Sequence, residues 1–292
     1  MDTSPFSRRA FLALAGGTLL VACGGGGNDA EPTAGDGTSD LTFTEVNAGV
    51  MSSDLFMTSQ PQRFAFAAIA KEGQTAGKRA QVAFAKPGST SVSRSDLVPA
   101  AFHGEGLPDQ RGVYTVDTVF DEVGAWPAII EYDGEINQFA VQVNPQASTV
   151  VPGAAAIATP TPTTTAPLGT DPLCTLNPPC RLHERSLDAM LTSARPIALL
   201  FATPARCSSR YCGPVLESVL GVTPDYEPGI AFVHVEIYKN LTSNDRVAAV
   251  DKWGLPGEPW LFTIGADGKV RDRLDGAFDQ SEIREVLDRL TA

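Results

Sequence analysis

Four cysteines in one short stretch hold most of the chemistry this sequence offers. Cys174, Cys180, Cys207 and Cys212 form two close pairs, and the fifth cysteine, Cys23, stands alone near the start. In an exported chain an even number of cysteines in close pairs suggests disulfides. Cys212 is placed for more than that. It precedes Gly213-Pro214 and the apolar run Val215, Leu216, Val219, Leu220, so it sits where a helix begins. A sulfur there meets unpaired backbone N–H groups and the positive end of the helix dipole, both of which favour thiolate over thiol. Thiolate is the species that attacks a disulfide. The three histidines carry weaker signals. His103 reads as a solvated loop residue, with Glu105 near enough to share a metal, and His183 reads as a local hydrogen-bond partner. His234 and Glu236 alternate with Val233, Val235 and Ile237, so they share one sheet face and read as a partly buried, satisfied pair and not as ligands.

The elements that must position these residues follow from pattern. Ser186 can cap a helix over 187–193, and the apolar run 196–202 reads as a buried strand. After the cysteine loop come a helix through 213–220, a strand at 230–237 and a helix over 244–253. Residues 260–264 and 270–274 then pair as a hairpin through Ala266-Asp267-Gly268-Lys269. Asp279 and Glu282 have capping-box spacing for a last helix ending near 290. This order implies a mixed α/β sheet with helices on both faces. Residues 41–145 read instead as all-β. Strands are expected at 64–69, 81–84, 113–120, 127–132 and 139–143, with turns at Lys86-Pro87-Gly88, Glu122-Val123-Gly124 and Asp133-Gly134. That spacing suggests a sandwich, with Trp126 as a core residue. Between the two lies 146–171, rich in Thr, Pro and Ala, which reads as a semi-stiff spacer.

Two resemblances sharpen this reading. Phe201-Ala202, then Cys212-Gly213-Pro214, then Gly257-Glu258-Pro259-Trp260-Leu261-Phe262, resemble the strand, active-site turn and cis-proline loop of the thioredoxin-like superfamily, covering residues 183–292. The resemblance implies a thioredoxin-like fold for 172–292, with Cys212 as nucleophile. It also implies that Pro259, with a cis peptide bond, lies against the sulfur. Glu258, Pro259, Gly213 and Pro214 would then line a substrate groove with backbone groups open to a bound chain. The sequence departs from the family in three places. Val215 replaces the second motif cysteine, Leu200 stands where a buried acid is common, and Tyr211 replaces the usual tryptophan. Residues 112–126 and the closing strand near Phe139 look like an immunoglobulin-like domain, with no catalytic motif.

Cys207, with four residues between it and Cys212, is available as a replacement resolving thiol. The pair is then redox-active, a structural disulfide, or a copper site like that of the related cytochrome oxidase assembly chaperones, which also need a histidine. A helix over 187–193 must run antiparallel to the strand after it, so the Cys174–Cys180 loop joins the same end of the sheet. Three roles stay open for it: a structural disulfide stapling the Pro-rich loop, an electron relay, or four thiolates around zinc. The last fits poorly because both intervals exceed usual zinc spacing. No metal ligand set and no cofactor is otherwise expected.

The N-terminus addresses the chain. Ser7-Arg8-Arg9-Ala10-Phe11-Leu12 resembles a twin-arginine export signal, and Leu20-Val21-Ala22-Cys23 resembles a lipobox. The apolar run between them falls short of the roughly 20 residues that cross a bilayer core. Residues 1–22 are therefore read as signal peptide, Cys23 as the lipidated anchor and 23–40 as a flexible tether. Against 34 acidic residues there are 22 Lys and Arg, a net charge of −12, which argues against nucleic-acid partners. The expectation is a membrane-anchored, extracytoplasmic lipoprotein that exchanges thiols and disulfides with a protein partner. The rival expectation is a non-catalytic binding scaffold with structural disulfides.

Overall fold

The computed structural model describes residues 46–70, 73–74, 78–108 and 112–292, which lie in one compact unit. The signal, Cys23 and the tether lie outside the described residues. Strand outweighs helix over the described residues, all of the excess coming from the first half. The first half holds β1 (Val46–Val50), β2 (Gln62–Ala70), β3 (Gly73–Gln74), β4 (Ala80–Phe84), β5 (Val98–Pro99), β6 (Ala101–His103), β7 (Val113–Thr118), β8 (Gly124–Tyr132) and β9 (Glu135–Val143). One sheet runs β1-β2-β7-β6, with β3 also on β2, and a second runs β5-β4-β8-β9; every pairing is antiparallel. All five expected strands are present. The alternation in β2 puts Phe64, Phe66 and Ala68 on one face, where they share a core with Val82, Ile130, Tyr132 and Val141 of the other sheet. Tyr114 meets Tyr132 edge-on at 5.8 Å and Phe64 meets Phe84 at 5.0 Å. Trp126 is buried beside Phe120, its indole N–H donating to the Glu122 carbonyl at 3.0 Å.

The second half contains α1 (Leu187–Leu191), β10 (Ile197–Phe201), α2 (Cys212–Tyr226), β11 (Ala231–Val235), α3 (Ala248–Lys252), β12 (Trp260–Ile264), β13 (Val270–Asp275) and α4 (Gln280–Thr291). Its sheet has the order β11-β10-β12-β13, with β10 parallel to β11 and antiparallel to β12. Strand β10 is buried on both faces, which is why it reads as a continuous apolar run. Ala198 and Leu200 pack with Val215, Leu216 and Val219 of α2 and Ile283, Val286 and Leu287 of α4. Ile197, Leu199 and Phe201 pack the other way, with Leu187, Val250 and Trp253. None of the described helices is long and apolar enough to cross a membrane.

Four local expectations are corrected. Helix α3 is shorter than 244–253, because the residues before it form a short antiparallel bridge to the chain just past β11: Lys239 N–H bonds the Asp245 carbonyl and Val247 N–H the Ile237 carbonyl. Ser186 does not cap α1. Its hydroxyl accepts from Thr161 N–H at 2.8 Å, while Thr161 Oγ1 accepts from Leu187 N–H at 3.0 Å, so the cap comes from the supposed spacer. Asp279 caps α4 through Glu282 N–H at 2.9 Å, but the Glu282 side chain turns away to Arg63 and completes no box. The fourth correction concerns 146–171, which is not a spacer. Gly153 and Ala154 exchange backbone hydrogen bonds with Val270, Trp253 Nε1 donates to the Ile157 carbonyl at 3.2 Å, and Thr164 N–H bonds the His183 carbonyl. Thr159, Thr161, Thr163 and Thr170 are buried. Several of its backbone amides find partners on an edge strand, a helix end and neighbouring loops, which fixes the segment against the second half.

The two halves meet closely at Gly276. Its φ is +75°, and a Cβ there would lie 2.1 Å from the Met51 carbonyl oxygen. Gly276→Ala is therefore expected to destabilise the protein by about 2 kcal/mol through positive-φ strain and overlap. Chemical denaturation would show it as a lower midpoint, and an unchanged midpoint would refute the close approach.

Candidate functional site

The loop after β10 carries Cys207 and returns to open α2 at Cys212. Arg206 fixes its base: its guanidinium lies 4.2 Å from the Tyr238 ring centroid and donates to the Asn240 carbonyl at 3.0 Å and to Asn244 Oδ1 at 2.9 Å. Arg210 takes a φ of +64°, turning the chain back. Tyr211, the N-cap residue, offers no side-chain cap. The Cys207 sulfur fills that role, accepting the Cys212 N–H at 3.1 Å, with Ser209 Oγ at 3.2 Å. Both cysteines are free thiols.

Exposure and electrostatics distinguish the two sulfurs. Cys212 is fully buried and Cys207 half-buried. A hydrogen bond from the Cys212 thiol, supported by the Ser209 hydroxyl and the amides of Cys212 and Ser209, brings the Cys207 thiol down to about 6. Burial pushes the Cys212 thiol up, and the charge of Cys207 and Glu258 adds to the effect. The sulfur that receives the first amide of α2 is that of Cys207, not Cys212.

Glu258–Pro259 is a cis peptide leading into β12. The Glu258 carboxylate accepts from Ser208 N–H at 3.1 Å and Ser208 Oγ at 2.9 Å, and one of its oxygens lies within 4.8 Å of both sulfurs. The backbone here is not open as expected. The Glu258 carbonyl accepts Ser209 Oγ at 3.4 Å and the Pro259 carbonyl accepts Gly276 N–H at 3.1 Å. Gly213 and Pro214 lie half-exposed at the start of α2.

A second cluster gathers Cys174, Cys180, His183 and His234, with four potential ligand atoms all within 4.8 Å of one another. His234 Nδ1 lies 3.0 Å from His183 Nε2, 3.3 Å from Cys180 Sγ and 4.0 Å from Cys174 Sγ. Burial lowers the His183 pKa. Glu236 does not pair with His234 as expected from their shared face. Its carboxylate accepts from Thr175 N–H at 2.6 Å and Thr175 Oγ1 at 2.9 Å, and burial raises its pKa. Thr175 Oγ1 also accepts from Ala205 N–H at 3.1 Å, which links this loop to the Cys207 loop. Sequence reasoning missed His183 and His234 as site residues. The signal was there in Cys180-x-x-His183, but nothing local ties it to a strand 51 residues on.

The remaining candidates resolve differently. His103 lies in β6, bonded to Thr115 Oγ1 at 2.9 Å and Ser281 at 3.3 Å, while Glu105 pairs with Arg284 instead. The cluster around Cys207 and Cys212 is completed by Glu258 and has no histidine among the described residues. A cavity of about 610 Å³ between the two halves is lined by charged groups such as Asp54, Arg63 and Arg273, and by none of the cysteines.

Fold and site together define a β-rich chain that carries two cysteine clusters around one end of a mixed sheet. No protein-family model matches it, and no curated protein does either.

Proposed function

We propose that the chain is an exported lipoprotein, anchored through Cys23, whose thioredoxin-like C-terminal half exchanges disulfides with an extracytoplasmic protein through Cys207 and Cys212. The observation that carries this is the 3.1 Å hydrogen bond from the first amide of α2 to the more exposed sulfur. Support for the fold comes from the sheet order β11-β10-β12-β13, the helix starting at Cys212 and the cis peptide before β12. The antiparallel sheets of the first half suit an immunoglobulin-like sandwich that presents the module. The anchor rests on the N-terminal motifs alone.

In the direction that reduces a partner, the Cys207 thiolate attacks one sulfur of the partner's disulfide. A mixed disulfide forms, and the partner's other sulfur leaves as thiolate and takes a proton from water. Cys212 then gives its proton to the Glu258 carboxylate and attacks the Cys207 sulfur. The Cys207–Cys212 disulfide forms and the second partner thiolate departs, so two electrons pass to the partner. The occupied carbonyls of Glu258 and Pro259 favour a second reading, a binding scaffold in which the pair is an inert bridge.

Trapping separates the two. Cys212→Ser should accumulate a mixed disulfide with a model protein disulfide, while Cys207→Ser should not. A pair potential below about −300 mV, in the range of structural bridges, together with no trapped species, would establish the scaffold reading.

A further inference from the structure

We propose that Cys174, Cys180, His183 and His234 form a closed, tetrahedral zinc site that holds the 174–183 loop onto β11. The inference is independent of the exchange chemistry at Cys207 and Cys212. With Zn–N near 2.0–2.1 Å and Zn–S near 2.3 Å, a tetrahedron has edges of about 3.3 Å (N to N) and about 3.6 Å (N to S). The three distances from His234 Nδ1, 3.0, 3.3 and 4.0 Å, straddle those edges.

Proton accounting at His234 argues for a cation. Its Nε2 faces the Ala202 carbonyl at 3.1 Å and must carry the hydrogen, which leaves Nδ1 with one in-plane lone pair. Three groups converge on that lone pair: an imidazole nitrogen and two sulfurs. Hydrogen bonding can satisfy one of them. A single cation at their centre satisfies all four ligand atoms at once. Two thiolates balance its double charge, so the complex is neutral where Cys174, His183 and His234 are buried. The Ala202 carbonyl also supplies the outer-shell contact that fixes the tautomer of a metal-bound histidine. The backbone sets the approach, because His234 N–H bonds the Leu182 carbonyl at 3.0 Å and brings the next residue, His183, against the His234 ring. Cys180 N–H points at Cys174 Sγ from 3.3 Å, a contact that stabilises thiolate.

Two thiolates with two imidazoles select a borderline-soft cation over calcium or magnesium, and four protein ligands leave no position for substrate. The role is structural. The metal closes the Pro-rich loop and, through Thr175 and Ala205, steadies one wall of the Cys207 loop.

The test uses the full chain purified with thiols protected. Elemental analysis should find about one zinc per chain, also in Cys207→Ser/Cys212→Ser, falling below about a tenth of that in Cys174→Ser and in His234→Ala. If those variants fold poorly, cobalt replacement in the unaltered chain decides the matter. Intense tetrahedral visible bands with two-thiolate charge transfer support the site, and octahedral or thiolate-free spectra overturn it. A Cys174–Cys180 disulfide in freshly isolated protein, metal lost only with Cys207 and Cys212, or retention of copper(I) with refusal of zinc would each overturn the proposal.

Discussion

Cys207→Ser should abolish disulfide exchange, by about 10³-fold or more, because it removes the thiolate that attacks. The unaltered protein should show the basis of that loss in its pH profile. Alkylation of Cys207 should titrate with a midpoint near 6, well below an ordinary thiol. The sign follows from the reactive species. Above the midpoint the thiolate persists and the rate is flat; below it the rate falls about tenfold per pH unit as the sulfur protonates. At pH 7 about nine tenths of Cys207 is thiolate, roughly 30-fold more than usual, yet its lower basicity costs most of that in nucleophilicity. Attack therefore gains only about twofold. The larger benefit comes in the reverse direction, where the partner's second thiolate attacks the partner sulfur of the mixed disulfide and Cys207 is the leaving group, so its low basicity speeds departure. Two outcomes would sink this assignment: a Cys207→Ser protein with more than about a tenth of wild-type exchange, or an alkylation midpoint above about 8.

Removing the Arg63 side chain should strongly destabilise the packing of the two halves. Arg63, from β2, reaches α4 and grips Glu282 with both arms, Nε to Oε1 at 2.7 Å and Nη2 to Oε2 at 3.0 Å. It also donates to the carbonyls of Asp275 at 3.0 Å and Ala277 at 2.6 Å. The Arg63 and Glu282 side chains are 12% and 7% exposed, so Arg63→Ala leaves a buried carboxylate and two carbonyls without their partner. Breaking such a pair from one side costs about 3–5 kcal/mol. Position on α4 offsets part of it, because Glu282 lies in the first turn, near the positive end of the helix. Adding Glu282→Gln should restore part of the loss by removing the stranded charge. Equilibrium denaturation of the single and double variants measures both effects. A loss under about 1 kcal/mol in Arg63→Ala would show the contact to be solvated and weak.

What local spacing encodes was legible. The continuous apolar run of β10, the hairpin through Gly268, the Asp279 cap and the start of α2 at Cys212 all follow from periodicity and end signals within a few residues. The chain alone also determined which residue types were available for chemistry, and that the cysteines come in pairs. Local signals misled where a partner outside the window competes. Residues 245–247 bridge to 237–239, just past β11, because backbone groups there meet theirs. The Thr- and Pro-rich segment looked like a spacer because the groups that hold it, on Val270, Trp253, His183 and Ser186, lie far along the chain.

The candidate sites divide in the same way. Composition and spacing pointed to Cys207 and Cys212, but burial by α2 and α4 decided which of them faces the solvent. Cys174, Cys180 and His183 share one loop, yet their meaning changed once the pairing of β11 with β10 aligned His234 opposite Leu200. Register is a non-local quantity. It depends on which strands pair, and that in turn depends on burying both faces of β10 at once. Sequence therefore determined the parts of this protein, and tertiary structure decided which sulfur is the more exposed and which four side chains converge.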